Sequence, residues 1–268
     1  MQPVMRTSDR THAKDKQFAN TLAHGVRLLQ AFGRGSRVLG NGELCDYLCL
    51  DRATVSRLTY TLVQLGYLEQ DAQRKYRLAV GVLRLGYPLL AGMQMRHLAR
   101  PLMRQLASMI GATVGIGIRH QTQMVYLDAV AAHEGPDPVI DRGMSIPLLA
   151  SAMGNAWLAA ATQAEREQAL NLHRVLEPEV YARHFERHVA ALKEARSCGY
   201  CTSTGHRLRE RVSAAAALSR RVDGQIVVFN CTVGVNDPVA QEALRRELGP
   251  QLLDMIGRIE AAAGIVDD

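Results

Sequence analysis

The stretch DRATVSRLTYTLVQLGYL, residues 51–68, places hydrogen-bond donors directly ahead of an apolar pattern with helical spacing. Such a helix can keep its apolar face in a core while the opposite face offers guanidinium and hydroxyl groups to base edges and phosphates. The candidate DNA-contacting side chains of this helix are Arg52, Thr54, Ser56, Arg57 and Tyr60. An ordinary solvated helix start is the other interpretation, because Asp51 and Thr54 also suit a helix cap.

A second set of residues could bind a metal or carry thiol chemistry. His184 and His188 lie four residues apart on a predicted helix, and Cys198 and Cys201 follow them, which are ligand types that zinc accepts. With Cys231, these cysteines could instead serve a thiol-based redox enzyme or a redox or metal sensor, which stays the alternative function. A basic helix is of little use to such an enzyme, so we expect no enzyme activity, no cofactor and no metal. The buried face of the histidine-bearing helix is predicted to consist of Phe185, Val189, Leu192 and Ala195.

Three short helices are predicted to position the donors of residues 51–68. Apolar residues recur at three- and four-residue steps over residues 22–32, and Asn41-Gly42 opens a second helix. Asp51 is the predicted N-cap of the third helix. Its inner face is predicted to consist of Val55, Leu58, Leu62 and Leu65. Two helices joined by a tight turn form a helix-turn-helix.

Two short strand-like runs follow the third helix. Residues 66–69 and 75–78 flank the polar run 70–74, which predicts a hairpin with Arg74 and Lys75 at its tip. A basic hairpin in this place forms the wing of a winged helix-turn-helix and can touch the phosphate backbone or the minor groove. Residues 81–95 return to a helical pattern rich in leucine, and we predict a helix that links two domains.

The second half of the chain predicts an α+β domain. After a helical stretch, TVGIGIRHQ and MVYLDAV read as paired antiparallel strands, and QIVVFNCTVGV reads as a further strand. Helical segments lie between them and at the end of the sequence, an order typical of an α+β sheet domain. A loop over residues 144–154 runs into a helix predicted at residues 155–159. A helix start behind small residues offers free amides to a carboxylate, although a plain helix cap has the same pattern.

The length, cysteine content and charge of the chain limit the classes of protein to which it can belong. The 268 residues suit two domains, and no apolar run is long enough for a membrane span or a signal peptide, so we expect a cytoplasmic protein without a membrane partner. Five cysteines are an odd and thinly spread number, which predicts reduced thiols. Residues 1–100 hold 15 basic and 7 acidic residues, and the remainder hold 17 and 19. The first part therefore suits a polyanion, and the second suits a small or self-complementary partner.

The motifs GVRLLQAF, RATVSRLTYTLVQLGYL, YRLAVGVLRLG, GMSIPLLASAMGNAWLAA and CGYCTSTGH occur in the order found in one family. The chain resembles IclR-type bacterial transcriptional regulators from about residue 20 to residue 263. The resemblance implies a winged helix-turn-helix domain, a linker helix and a GAF-like effector-binding domain with an antiparallel sheet. The implied division is a disordered leader at 1–19, a DNA-binding domain at 20–79, a linker helix at 80–95 and an effector-binding and oligomerisation domain at 96–268.

The resemblance also implies an effector site in the second domain. It lies between the sheet and the loop, with amide and hydroxyl groups that can orient a small organic acid. The residues that match the family's ligand positions are Ile146, Ala152, Met153, Gly154, Ser203, Ser213, Asn230 and Thr232. Three positions depart from the family pattern, because Asn155, His206 and Ala217 stand where the family has a lysine, a glutamate and a proline. The effector can therefore differ from the common ones.

Together these observations predict a sequence-specific regulator of transcription. We expect it to bind a palindromic double-stranded operator as a homodimer or tetramer. A small organic-acid metabolite in the second domain is expected to adjust the affinity for the operator.

Overall fold

The structure, a computed structural model, describes residues 17–33, 38–132, 140–204, 211–235 and 237–265. The chain divides into two compact units, Met1–Gly92 and Met93–Asp268. The predicted leader falls largely outside the described residues, and the predicted domain bounds stay predictions. No helix within the described residues is both long enough and apolar enough to cross a membrane.

The first unit is a winged helix-turn-helix, as predicted. Strands β1 and β2 pair antiparallel, and Leu39 adds a bridge to Tyr76 beside them. The elements of this unit are α1 (Asn20–Gln30), a 3-10 turn (Ala31–Gly33), α2 (Asn41–Leu48), α3 (Arg52–Gln64), β1 (Leu68–Gln70), β2 (Tyr76–Leu78) and α4 (Gly81–Gly92).

A compact apolar core holds α3 in place. Val55, Leu58 and Leu62 lie in this core with leucines of α1, α2 and β1. The prediction for Leu65 is wrong, because α3 ends at Gln64 and the Leu65 side chain is 61% exposed. Thr59 is buried on the inner face instead, and its hydroxyl donates to the Val55 carbonyl at 3.0 Å. Because the hydroxyl is hydrogen-bonded to a backbone carbonyl of its own helix, this polar side chain can occupy a core position.

The predicted single helix over residues 81–95 is also wrong. Helix α4 ends at Gly92, and α5 begins at Gln94, with Met93 between them at φ −85° and ψ 79°. Glycine is a poor helix former in an interior, so the leucine-rich pattern alone does not carry the helix through this point.

The second unit is an α+β domain built on one antiparallel sheet, which confirms the predicted fold class. The sheet order is β5-β4-β3-β8-β7-β6. The elements of this unit are α5 (Gln94–Ile110), β3 (Thr113–His120), β4 (Gln123–Ala131), β5 (Ser145–Pro147), α6 (Ala152–Ala160), α7 (Gln163–Leu176), α8 (Pro178–Cys198), β6 (Cys201–Thr204), β7 (Arg211–Ala217), β8 (Val228–Gly234) and α9 (Pro238–Ala262).

Helices cover both faces of this sheet. Helix α6 packs on one face with α8 outside it, and α5 and α9 pack on the other. A β-bulge between Ile116 and Gly117 shifts the register, so Ile116 pairs with Asp128 and Gly117 pairs with Tyr126. A bulge re-aims side chains. Tyr126 therefore points to the α6 face and contacts Asn230, whereas Asp128 points to α5 and contacts Arg100.

Helix α6 begins three residues earlier than the sequence suggested. Its first residue is Ala152, and Ser151 is the N-cap, whose hydroxyl accepts from the Gly154 amide at 3.1 Å. A serine at this position is a strong helix start. Strand β5 lies inside the segment predicted as loop and pairs with β4.

The predicted buried face of α8 is only partly right. Leu192 and Ala195 are partly buried against the core beneath α6, whereas Val189 is exposed. The fully buried residues of α8 are His184, His188 and Ala191. His188 is held by a buried partner, because its Nδ1 lies 3.0 Å from Oδ1 of Asn155 on α6. Burial lowers the pKa of His188 to about 4, with help from the nearby charges of Arg166 and His173. The ring is therefore neutral near pH 7 and donates to the amide oxygen.

Candidate nucleic-acid interface and ligand site

The start of α3 is built by side chains that also serve as its cap. The Thr54 amide donates to Asp51 Oδ1 at 2.9 Å, and the Thr54 hydroxyl donates to Asp51 Oδ2 at 2.7 Å. These bonds lower the pKa of Asp51, so the cap stays charged. A charged cap satisfies amides that the first helical turn would otherwise leave open. The capping interpretation of Asp51 and Thr54 is confirmed.

Three of the five candidate side chains on α3 remain available to a partner. The Ser56 hydroxyl accepts from the Asn41 side-chain amide at 2.8 Å, which ties α3 to the start of α2. Arg52, Arg57 and Tyr60 are exposed. Neither guanidinium has a carboxylate partner in the described part of the chain.

The wing is shaped by Asp71. Its Oδ1 accepts from the amides of Gln73 and Lys75 at 2.9 and 2.8 Å, and Arg74 adopts a left-handed φ of 60°. A short acidic side chain that bonds the amides after it is a usual way to close a tight turn. Both predicted tip residues, Arg74 and Lys75, are exposed.

In the second unit, the first turn of α6 lies against β6. The Ala152 amide donates to the Ser203 hydroxyl at 3.2 Å, so the helix start and the strand meet at a hydrogen bond. Met153 is buried and lies over Gly117, where an added Cβ would meet its sulfur at 2.9 Å. Gly154 is required by packing, since a Cβ there would lie 1.9 Å from the Leu148 carbonyl oxygen.

A row of polar side chains crosses the sheet beneath α6. The strand register pairs Ser203 with Ser213 and Ser213 with Thr232. The hydroxyls of Ser213 and Thr232 are 2.8 Å apart, and the Asn230 amide donates to Thr232 at 3.2 Å and to the Tyr126 hydroxyl at 3.3 Å. We call these five side chains the polar row. The structure thus brings four of the predicted residues together and adds Tyr126.

Sequence reasoning missed Tyr126 because only the bulge in β4 turns it toward Asn230. The conspicuous glycines of β3 offered an indirect signal. A Cβ at Gly115 would lie 2.8 Å from Asn230 Oδ1 and 2.6 Å from the Tyr126 ring, so glycine is what lets the two side chains meet.

The polar row contains a buried acceptor without a hydrogen bond. Asn230 is 3% exposed, and its Oδ1 has no hydrogen-bond partner among the described residues. An unpaired buried polar atom costs about 1–3 kcal/mol, so this position favours a bound group that donates to it.

Two further predicted site residues, Ile146 and Gly154, are not part of the polar row. Ile146 lies in β5 opposite Met124 and packs against the core beneath α6. Gly154 donates its amide to the helix cap. Neither bonds to the polar row within the described residues. His206 lies outside those residues.

Two of the three candidate cysteines are buried thiols. Burial raises the pKa of Cys201 and of Cys231 to about 12, so both are protonated thiols near pH 7. A thiol rather than a thiolate is a weak nucleophile and a weak metal ligand. Cys198 is exposed and donates to the Glu194 carbonyl at 3.1 Å. No group of three His, Cys, Asp or Glu side chains in the described ranges is arranged to hold a metal ion.

Comparison with known proteins finds a family model that matches each part of the chain. Residues 88–257 match the family model for the bacterial transcriptional regulator IclR C-terminal domain, and residues 21–72 match the model for the IclR helix-turn-helix domain. The chain is 30% identical to the HTH-type transcriptional regulator TsaQ1/TsaQ2 of Comamonas testosteroni, over 96% of this chain and 93% of that protein.

Solved structures with the same fold include two that are informative here. An IclR family transcriptional regulator from Brucella abortus has a TM-score of 0.79 and 36% identity, with 97% of each chain covered. An IclR homolog from Microbacterium hydrocarbonoxydans, solved as a complex with 4-hydroxybenzoate, has a TM-score of 0.65 and 21% identity, with 90% of this chain and 99% of that chain covered. The chain therefore belongs to the IclR family of DNA-binding transcriptional regulators.

Proposed function

We propose that a small organic acid binds between the first turn of α6 and the polar row, and that its binding changes the affinity of the protein for a palindromic operator. The observation that carries this proposal is the unpaired Oδ1 of Asn230, buried beside hydroxyl groups under a helix start. A helix start favours a carboxylate, and an unpaired acceptor favours a ligand that also carries a donor.

The relative solved with 4-hydroxybenzoate supports an aromatic hydroxy acid among the candidates. That ligand carries a carboxylate at one end and a hydroxyl at the other. In the proposed arrangement the carboxylate replaces the Ser203 hydroxyl as acceptor of the Ala152 amide and also meets the Met153 amide, while the ligand hydroxyl donates to Asn230. Met153 would have to move, because it fills the space over Gly117 in this structure.

Replacing Asn230 by leucine tests this site. The change keeps a similar volume but removes both donor and acceptor, so we expect effector affinity to fall by about 1–3 kcal/mol. The measurement is calorimetric titration with a panel of small mono-, di- and aromatic hydroxy acids. Operator binding without effector should stay near wild type, because Asn230 lies in the second unit.

The matched control is Cys231→Ala, which changes the next residue of β8 on the opposite face of the sheet. Ser213→Ala provides a second variant within the polar row. Equal affinity of the best ligand for wild type, Asn230→Leu and Ser213→Ala would place the effector elsewhere and end this proposal.

We also propose that the regulator acts as a homodimer through α4. This helix has no buried residue, and Leu83 and Tyr87 are 72% and 71% exposed one helical turn apart. Burying such a side chain contributes about 1.5–3 kcal/mol, which is ample reason to pair the helix with its copy. A dimer can present two recognition helices to half-sites one turn of DNA apart, about 34 Å. An effector that prefers one arrangement of the two copies then shifts operator affinity.

The double variant Leu83→Glu/Tyr87→Glu is expected to sediment as a monomer at micromolar concentration, because four carboxylates would meet in the proposed contact. Arg84→Glu alters the neighbouring exposed position and should leave the assembly unchanged. Sedimentation velocity over a dilution series measures both. A double variant that keeps the wild-type assembly would exclude α4 as the dimer contact.

A further inference from the structure

Asp128 on β4 is surrounded by three arginines. Its Oδ2 accepts from Arg100 and lies 3.9 Å from Nη1 of Arg96, and its Oδ1 accepts from Nε of Arg142 at 3.1 Å. The Ala129 amide donates to the same Oδ1 at 3.0 Å. We call Arg96, Arg100 and Arg142 the arginine cluster. Both carboxylate oxygens of Asp128 are therefore already occupied.

The cluster carries more positive charge than Asp128 can balance. Three guanidiniums against one carboxylate leave a surplus of two charges, and like charges this close repel one another. Asp141 does not offset it, because its Oδ1 accepts from the backbone amide of Arg142 and it forms no ion pair with the cluster in the described ranges. Arg96 also contacts His97, whose Nε2 lies 2.9 Å from Arg96 Nη2.

The hydrogen-bond donors of the cluster are also incompletely used. Arg96 Nε is buried and has no hydrogen-bond partner within the part of the chain that the structure describes. Its side chain is 12% exposed, whereas those of Arg100 and Arg142 are 35% and 45% exposed. An ion can therefore reach the cluster from solvent and still contact a largely desolvated guanidinium. Guanidinium groups match the oxygen geometry of phosphate and carboxylate well.

This location is separate from the polar row. The bulge in β4 turns Asp128 toward α5, on the face of the sheet opposite Tyr126 and α6. A ligand at the arginine cluster therefore does not compete for the proposed effector site.

We propose that the arginine cluster binds a small oxyanion with two negative charges, of the chemical class of inorganic phosphate or a phosphate monoester. Two charges balance the surplus, and tetrahedral oxygens can accept from Arg96, Arg100 and Arg142 while Asp128 keeps its own bonds. This is a second ligand site, independent of the proposed organic-acid effector.

Thermal unfolding of the full chain in sodium phosphate against sodium chloride at equal ionic strength tests the site, with titration calorimetry of inorganic phosphate as the direct measurement. A ligand that binds only the folded state raises the unfolding midpoint with concentration until the site saturates. Arg96→Gln and Arg142→Gln should each require about tenfold more phosphate for the same rise, as expected for the loss of a charged hydrogen-bond partner. Arg100 is left intact so that at least one guanidinium still bonds to Asp128 in every variant.

Two controls separate this site from other basic surfaces. Arg104→Gln removes an exposed guanidinium one turn further along α5, and Arg57→Gln removes one from the recognition helix, and both should respond to phosphate as wild type does. Circular dichroism without phosphate confirms that each variant is folded.

The proposal is overturned if phosphate stabilises the wild type no more than chloride does, as would happen if a carboxylate from elsewhere in the chain filled the cluster. It is equally overturned if Arg96→Gln and Arg142→Gln both respond like wild type. A third outcome would also overturn the proposal. If Arg142→Gln binds a non-operator duplex more weakly than wild type but responds to phosphate as wild type does, the cluster contacts the DNA backbone and is not a site for a small ion.

Discussion

Replacing either Arg52 or Arg57 by alanine should weaken operator binding by about 1–3 kcal/mol, as expected for the loss of a guanidinium that contacts a base edge. This loss corresponds to a roughly 5- to 150-fold higher dissociation constant. Both side chains are exposed on the outer face of α3, and neither is neutralised by a carboxylate in the described ranges. The fold should survive, because the inner face of α3 and its Asp51 cap are untouched. Fluorescence anisotropy with a footprinted operator measures the loss.

Arg187→Ala is the matched control, since it removes an exposed arginine from α8 in the second unit. Its operator affinity should equal that of wild type at the same salt concentration. Unchanged affinity in both Arg52→Ala and Arg57→Ala would reject the recognition surface proposed here and transfer the contacts to Tyr60 or to the wing residues Arg74 and Lys75. Thr54 and Ser56 are weaker candidates, because their hydroxyls are already hydrogen-bonded to the side chains of Asp51 and Asn41.

Helix α3 and the wing of the first unit were predictable because short-range signals determine them. Asp51 caps α3 through a neighbour three residues away, and Asp71 closes the wing through amides two and four residues away. Both interactions are visible in residue order alone. The exposed position of Leu65 was not, since periodicity places it on the inner face, and only the end of α3 at Gln64 removes it from the core.

In the second unit, strand pairing was predictable and side-chain direction was less so. The runs TVGIGIRHQ and MVYLDAV were predicted to be paired antiparallel strands, and β3 and β4 do pair in this way. The bulge beside Gly117 has no clear local signal, yet it sends Tyr126 and Asp128 to opposite faces. The buried position of His188 on α8 has a similar explanation, because its ring faces inward and contacts Asn155, 33 residues away in sequence. Long-range polar partners of this kind leave no periodic pattern.

The predicted ligand residues depended on family resemblance, and the structure adds a physical reason for part of that set. Alternation along β7 and β8 puts Ser213, Thr232 and Asn230 on one face, and the register aligns them with Ser203. The glycines of β3 leave the space that Asn230 and Met153 occupy. Ligand binding by these residues stays a prediction that titration of Asn230→Leu decides.

Replacing Asp128 by asparagine should destabilise the second unit by about 2–4 kcal/mol, somewhat below the usual cost of breaking a buried ion pair because Arg100 and Arg142 can turn partly to water. The asparagine keeps the volume but removes the single negative charge among three guanidiniums. Asp254→Asn, an exposed carboxylate on α9 without an ion pair in the described ranges, should change stability by less than about 0.5 kcal/mol. Urea unfolding at pH 7.5 in chloride buffer measures both variants.

The pH dependence of the stability difference between wild type and Asp128→Asn shows whether the charge of Asp128 causes it. Burial alone would raise the pKa of Asp128, but the hydrogen bonds and charges of Arg100 and Arg142 outweigh burial and lower the pKa below its ordinary value. A carboxyl whose folded-state pKa is lowered stabilises the protein above its unfolded-state pKa, about 4, and loses that contribution as pH falls through the folded-state pKa. The gap between wild type and Asp128→Asn should therefore be constant from about pH 5 to 8 and shrink below about pH 4. A gap that keeps its full size down to the lowest pH at which the protein is folded would mean that Asp128 stabilises the sheet by packing rather than by charge, and the arginine cluster would then lose its electrostatic basis.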